Sequence, residues 1–192
     1  MSLKIGWDID GVGYDFPAAL KFFAEHYQGV DPETMPLPAR SWDWWESQWG
    51  WSKDQFRLIH RLGIASGVLY QVSGVMEGFK EGLYRVRRAG GTNHLITARP
   101  ALTEPLVAAQ AARWLRTNEL DGLVDSVSFS GDKSIIKWDA YLDDHLPTVE
   151  GLREQGLPAF LLDAPYNRAN YVGHPEWRIT SIDKFLSWAG VK

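Results

Sequence analysis

Cysteine is absent from the 192 residues. That excludes disulfides, thiolate catalysis and cysteine-ligated zinc. Long apolar runs are also missing. No stretch is sufficient to span a bilayer, and the N-terminus carries no signal-peptide pattern, so the chain reads as a soluble cytoplasmic protein. Nor is there an excess of positive charge. Twenty Lys and Arg against 24 Asp and Glu leave a net charge of −4, which disfavours a nucleic-acid coat protein or a basic membrane binder. A small phosphorylated substrate is still allowed, because local Lys, Arg or metal charge decides that. Internal repeats and low-complexity tracts are lacking too. What remains is a chain with 45% hydrophobic residues, enough for a core and long enough for one domain with an insertion.

Tryptophan is plentiful, at ten residues. Trp42, Trp44, Trp45, Trp49 and Trp51 fall within one short segment. Two readings stand open: the core of a small subdomain, or an aromatic surface that stacks a flat ligand. Exposed tryptophans would also suit a homodimer contact.

The most informative residues come first in the chain. Leu3 to Val12 alternates apolar and non-apolar residues, the period of a half-buried strand. Asp8 and Asp10, two apart, then project to the same side about 6.5–7 Å from one another, and Gly11 allows a sharp turn. Paired carboxylates repel unless a cation or a shared proton relieves them. Such a pair at a strand end points to a metal site or to acid–base chemistry.

Further along, Phe16 to Tyr27 reads as an amphipathic helix with Pro17 in its first turn. A proline-rich loop, the Trp segment and a capping box at Ser52 that opens a helix to about Leu62 follow. Residues 17–73 hold no convincing strand and read as a helical insertion, a cap between core segments 1–16 and 74–192. From Gly74 onward the pattern alternates. Helices are expected at Met76–Ala89, Thr103–Asn118, near Pro147 and at Ser181–Ala189. Strands are expected at His94–Thr97, Val124–Phe129, Ala140–Asp144 and Ala159–Leu162. Arg85, Arg87 and Arg88 read as a solvated helix end that suits the dipole. This order predicts an α/β, Rossmann-like, doubly wound parallel sheet.

Ligands of such sheets bind beyond the carboxyl ends of the strands. Asp8 and Asp10, Thr97 to Arg99, Ser130 to Lys133, and Asp143 with Asp144 all lie at such ends. Together they suit phosphoryl transfer. One carboxylate serves as nucleophile and a second as acid and then base. Oxygen ligands hold Mg2+, and a hydroxyl and a lysine hold phosphate oxygens. Taken singly, a Thr at a strand end is commonly a cap, a loop Lys is commonly solvated, and adjacent aspartates commonly form a cap and a turn.

Asp8-Ile9-Asp10-Gly11-Val12, Leu95-Ile96-Thr97-Ala98-Arg99, Asp132-Lys133-Ser134 and Tyr141-Leu142-Asp143-Asp144 resemble the four motifs of the haloacid dehalogenase (HAD) superfamily. The resemblance implies a Mg2+-dependent phosphohydrolase working through an aspartyl-phosphate. Asp8 matches the nucleophile. Asp10 matches the acid/base, with its main-chain carbonyl on the metal. Thr97 and Lys133 match the phosphate-holding residues, and Asp144 the direct metal ligand. Asp143 would act through water or orient Lys133.

A narrower resemblance runs from Asp8 to Phe16, through Val72 to Glu77, and into Asp163 to Asn167 and the Trp177–Ile182 region. It is to the cytosolic 5'(3')-deoxyribonucleotidases and their phage and bacterial relatives. It implies a nucleoside monophosphate as substrate, with Phe16 on the base. Trp44 and Trp45 are added as base contacts from aromatic character alone. Where the human-type family has Ser-Pro after the second-motif Thr, this chain has Ala98-Arg99-Pro100. Arg99 then either binds phosphate or substrate, or pairs with a structural carboxylate. Another small phosphoester, such as a sugar or cofactor phosphate, is the alternative substrate. A nucleic-acid end phosphatase and a non-catalytic binding protein on the same fold rank below it, and no stable nucleic-acid partner is expected.

Overall fold

The computed structural model describes residues 2–72, 74–99, 106–168 and 174–192. The expected first helical turn at 103–105, and Ser73 and Pro100 of the quoted motifs, lie outside them.

Six strands form one parallel sheet: β1 (Lys4–Trp7), β2 (Thr92–Thr97), β3 (Ser126–Phe129), β4 (Ala140–Asp143), β5 (Ala159–Leu162) and β6 (Arg178–Ile179). Their spatial order is β3-β2-β1-β4-β5-β6, with every pairing parallel. The expected doubly wound α/β sheet is the one observed. The chain steps outward from β1 to β3, then returns to the other side of β1 to lay down β4. The switch point, where a crevice opens at the strand ends, therefore lies between β1 and β4.

Among the described residues eight helices accompany the sheet: α1 (Phe16–Gln28), α2 (Trp44–Ser47), α3 (Lys53–Ser66), α4 (Leu69–Val72), α5 (Phe79–Arg88), α6 (Leu106–Thr117), α7 (Leu146–Glu154) and α8 (Ile182–Trp188). Strand alternation assigns them to faces. On β5, Ala159 and Leu161 join Tyr141, Val149 and Leu152 in one apolar cluster that packs α7. Phe160 and Leu162 join the other cluster, with Trp7, Phe79, Leu83, Phe185 and Leu186. Both faces are covered, as a buried parallel sheet requires.

Trp7 anchors the larger cluster. Phe79 and Phe185 meet its ring edge-on at 5.7 and 5.4 Å, and its Nε1 donates to Asn93 Oδ1 at 3.0 Å. The Asn93 amide in turn donates to Leu83 O and Leu123 O. This fully buried asparagine satisfies its polar atoms while tying β2 to α5 and to the approach of β3.

Local signals explain most boundaries. Asp15 accepts from Ala18 N to cap α1, and Gly29 ends it in the left-handed region. Ser52 caps α3. Several boundaries differ from expectation: β1 stops at Trp7, β2 starts at Thr92 and β3 at Ser126, and two helix ends move for a glycine. α3 runs one turn past Leu62, to Ser66, because Gly67 rather than the Leu62-Gly63 pair supplies the left-handed stop. α5 begins at Phe79, not Met76, because Gly78 is left-handed at its N-cap. β6 has only two residues and α4 four, too short for any periodicity to reveal. At the end of α5, Arg85 pairs with Asp183 and Arg87 with Asp125. Of the clustered tryptophans, Trp44, Trp49 and Trp51 are buried in the same cluster as β1 and α5, whereas Trp42 is exposed.

Candidate active site at the carboxyl edge of the sheet

β1 and β4 run side by side, and the Asp8 N–H continues the ladder onto Leu142 O at 2.9 Å. That bond sets Asp8 beside Asp143 and Asp144 at the end of β4. One carboxylate oxygen from each of these three lies within 4.8 Å of the others, and all three residues are buried. Lys133 arrives from the other side, on a single helical turn after β3. Asp132 caps that turn by accepting from Ser134 N at 2.9 Å. The Lys133 ammonium donates to Asp8 Oδ1 at 2.6 Å and to Asp143 Oδ2 at 2.7 Å. Asp143 Oδ1 accepts the His145 N–H at 2.9 Å, so both its oxygens are engaged and it orients the lysine.

One ammonium does not balance three buried carboxylates. Burial raises the pKa of Asp144 to about 7, helped by the neighbouring Asp143 charge and opposed by the Tyr166 hydroxyl and Lys133. Burial likewise raises Asp8, Lys133 pulling against it and Asp143 and Asp144 adding to it. Lys133 itself is raised, its two carboxylate partners outweighing burial. A cluster short of positive charge, made only of carboxylate oxygens, fits a hard divalent cation such as Mg2+.

The Asp10 carboxylate does not join this cluster. The sequence reading had it beside Asp8. β1 ends at Trp7, so Asp10 lies beyond the strand, and its carboxylate pairs with Arg99. The Arg99 Nε donates to Asp10 Oδ2 at 2.8 Å and Nη2 to Oδ1. The guanidinium is buried, lying over the Tyr70 ring at 4.3 Å and near Tyr14 and Phe16. Burial acts to raise Asp10, but the Arg99 charge and hydrogen bonds outweigh it and hold Asp10 below the usual carboxylate range. The arginine is thus engaged by a carboxylate, one of the two roles its sequence position left open. Thr97, at the end of β2, is buried, and its Oγ1 accepts the Arg99 N–H at 3.3 Å.

Above these groups opens a cavity of about 560 Å³. Its floor holds Asp8, Asp10, Thr97, Arg99, Lys133, Asp143 and Asp144; its walls include Phe16, Trp42, Trp44, Trp45, Phe56 and His60. Trp45, Phe56 and His60 stack in sequence, at 4.8 and 5.6 Å between rings. Trp42 reaches across to His145 at 4.4 Å. The residues expected as Phe16, Trp44 and Trp45 contacts therefore share one cavity with the acidic floor.

Sequence reasoning gave no role to Trp42, Phe56, His60, His145 or Tyr166. Tyr166 donates to Asp144 Oδ2 at 2.5 Å, and Asn167 Nδ2 donates to Asp144 O at 2.9 Å. Both follow the carboxyl end of β5, so the strand-end rule that found Thr97 and Lys133 also reaches them. His60 and Phe56 carried no such signal, because they sit in mid-helix.

Gly11 makes the first close approach possible. A Cβ there would overlap the Asp144 carboxylate and the Tyr166 hydroxyl, and φ is positive besides. Gly11→Ala is expected to lower Tm by about 5–10 °C, combining an overpacking cost with backbone strain. The thermal shift on adding Mg2+ should shrink with it. Paired melts in EDTA and in Mg2+ check both.

No protein-family model and no curated protein matches the chain in sequence. Solved structures match in fold. Protein Tyrosine Kinase A of Mycobacterium tuberculosis aligns at TM-score 0.66 with 15% identity, covering 99% of both chains. A HAD-hydrolase of Bacillus subtilis, solved bound to magnesium, aligns at 0.61 with 13% identity and 97% of both chains. A predicted phosphoglycolate phosphatase of Haemophilus somnus aligns at 0.60 with 14% identity and 98% of both. The fold is therefore that of HAD-type hydrolases and phosphatases. One neighbour is named for a kinase and others for hydrolysis, so the fold alone does not choose the reaction.

Proposed function

We propose that this chain is a Mg2+-dependent phosphomonoesterase of the HAD type, and that its substrate is a nucleoside monophosphate, in the manner of the 5'(3')-deoxyribonucleotidases. The observation that carries the reading is a single cavity with a Lys133-bridged carboxylate floor and an aromatic wall. Beyond Lys133 and Arg99, both already engaged by carboxylates, no Lys or Arg among the described residues lines that cavity, which Asp43 also lines. Among the described residues both cations of the cavity are held by carboxylates, which leaves little positive charge for a second phosphate or a carboxylate. A flat uncharged group on the far side of the ester suits the Phe16, Trp44, Trp45 and Phe56 wall. That favours a nucleotide over phosphoglycolate, for which one fold neighbour is named.

In the proposed reaction an Asp8 oxygen attacks phosphorus while the bond to the ester oxygen breaks. Asp10, ionised in its resting pair with Arg99, first takes a proton from solvent as the bound ester displaces that pair, and gives it to the leaving oxygen. Asp10, now a carboxylate, then takes a proton from the water that attacks the aspartyl-phosphate, freeing Asp8 and phosphate. The Arg99 pair holds Asp10 in the ionised form that this second step uses. Lys133 and Thr97 steady the phosphate oxygens as charge shifts between them. A Mg2+ ion held by Asp8, Asp144 and the Asp10 carbonyl would supply positive charge to the phosphate oxygens when bound. A dehalogenase reading would leave Asp10 only its base step, because a departing halide needs no proton.

Phosphate release from ribo- and deoxynucleoside monophosphates, sugar phosphates and phosphoglycolate, each with Mg2+ or EDTA, tests the proposal. Release confined to Mg2+ and concentrated on nucleotides is expected. Mg2+-dependent release concentrated on sugar phosphates would refute the nucleotide assignment and keep the phosphatase. None from any ester would refute both.

A further inference from the structure

One polar group on the aromatic wall has no task in that scheme. His60 lies on α3 one turn beyond Phe56, stacked on it at 5.6 Å, and meets Phe16 edge-on at 5.2 Å. Its ring lines the cavity. No described residue forms a hydrogen bond with it, whereas the Asp8, Asp10, Thr97, Lys133, Asp143 and Asp144 side chains of the floor all have partners. Phe16, which His60 meets, also lies 5.8 Å from the Arg99 guanidinium that holds Asp10, which places His60 toward the Asp10 end of the wall.

We propose that His60 reads a hydroxyl group on the substrate's carbon skeleton, in the space between the ester oxygen and the aromatic slot. The inference rests on the phosphomonoesterase reading, because Asp10 marks where the ester oxygen leaves. The carbon skeleton attached to that oxygen must then pass His60 before any flat group reaches Trp45 and Phe56. Burial, reinforced by the Arg99 cation, brings the imidazole down to about 4. Near neutral pH it therefore has one N–H donor and one lone pair. A hydroxyl both donates and accepts, and so matches either nitrogen. An uncharged imidazole offers nothing extra to a second anion, in keeping with a wall that lacks cations. Stacking against Phe56 and Phe16 fixes the ring plane, so the direction of its hydrogen bond is set before substrate arrives.

The test is a cycle between residue and substrate. Steady-state constants are measured for the wild type, His60→Phe and His60→Gln on the best-cleaved phosphate ester, on its analogues lacking one hydroxyl each, and on p-nitrophenyl phosphate. His60→Phe keeps the aromatic stack and removes both polar nitrogens. The expected result is a rise in KM of about tenfold, the size of one hydrogen bond, for substrates that carry the hydroxyl. kcat should stay within about threefold. For one particular deoxy analogue the wild type and the Phe variant should converge. His60→Gln, which keeps a donor and an acceptor, should recover part of the loss and serves also if the Phe variant folds poorly. A parallel loss on every ester, p-nitrophenyl phosphate included, would overturn the proposal, as would equal sensitivity to each hydroxyl in wild type and variant. If the wild type cleaves sugar phosphates but not nucleotides, the nucleotide assignment fails alone, and the same cycle on the sugar series decides His60.

Discussion

Asp8→Asn is expected to reduce turnover by at least about a thousandfold while leaving the fold in place. The amide is nearly the same shape, and its Oδ1 can still accept the Lys133 hydrogen bond now made at 2.6 Å. It is a poor nucleophile, so the step that forms the aspartyl-phosphate is lost. Replacement also removes one of three mutually repelling buried carboxylates, so Tm should hold within a few degrees. Single-turnover assays and melting curves on the same preparation check the two halves. Near-normal turnover in the variant would eliminate the covalent route.

Lys133→Ala carries the largest expected effect on stability. Lys133 is 6% exposed and bridges Asp8 and Asp143, themselves almost fully buried. Removing one partner of a buried ion pair typically costs about 3–5 kcal/mol, because the other charge is left uncompensated. For a domain of this size that is about 10 °C in Tm. The pH dependence identifies the cause. Asp144 has a folded pKa of about 7 against an ordinary value of 3.8, and Asp8 is raised as well. Raised carboxyl groups bind more protons when folded than unfolded, so stability falls as pH climbs from about 4 to about 7. Removing the ammonium raises these groups further. The deficit of Lys133→Ala should therefore be small at pH 5 and largest near pH 8, and Mg2+ should recover part of it there. Melts across that range in EDTA and in Mg2+ measure it. A deficit constant with pH would trace the loss to packing rather than charge. Activity should fall along with stability, as a charged phosphate donor is lost.

Much of the molecule was legible in the chain itself. The alternation of β1, the capping of α1 and α3 by Asp15 and Ser52, and the strand–helix order after Gly74 are local patterns, and local backbone preferences decide them. That order also points to a parallel sheet, because β1, β2 and β4 are each followed by helix before the next strand. Knowing that ligands meet such sheets at the carboxyl ends was enough to collect Asp8, Thr97, Lys133, Asp143 and Asp144 on one rim, residues up to 136 positions apart.

Tertiary structure decided what those residues face. In the sequence Asp8 and Asp10 are a pair. In the fold the two carboxylates take different partners, Asp8 Lys133 and Asp10 Arg99, while the Asp10 charge still acts on Asp8. No pattern along the chain signals this, since a turn's direction depends on what packs against it. The tryptophans divide in the same way. Spacing does not tell Trp44, packed edge-on against Trp49 at 4.4 Å, from Trp42, which reaches over to His145. His60 is the extreme case. Its place between an aromatic wall and the Asp10–Arg99 pair arises where α3 lies against the α1 entrance, and a mid-helix histidine in the sequence says nothing of that. The sequence thus determines the chemistry at the strand ends, because backbone periodicity puts it there; the neighbours that tune each group come from segments distant along the chain, and only packing brings those together.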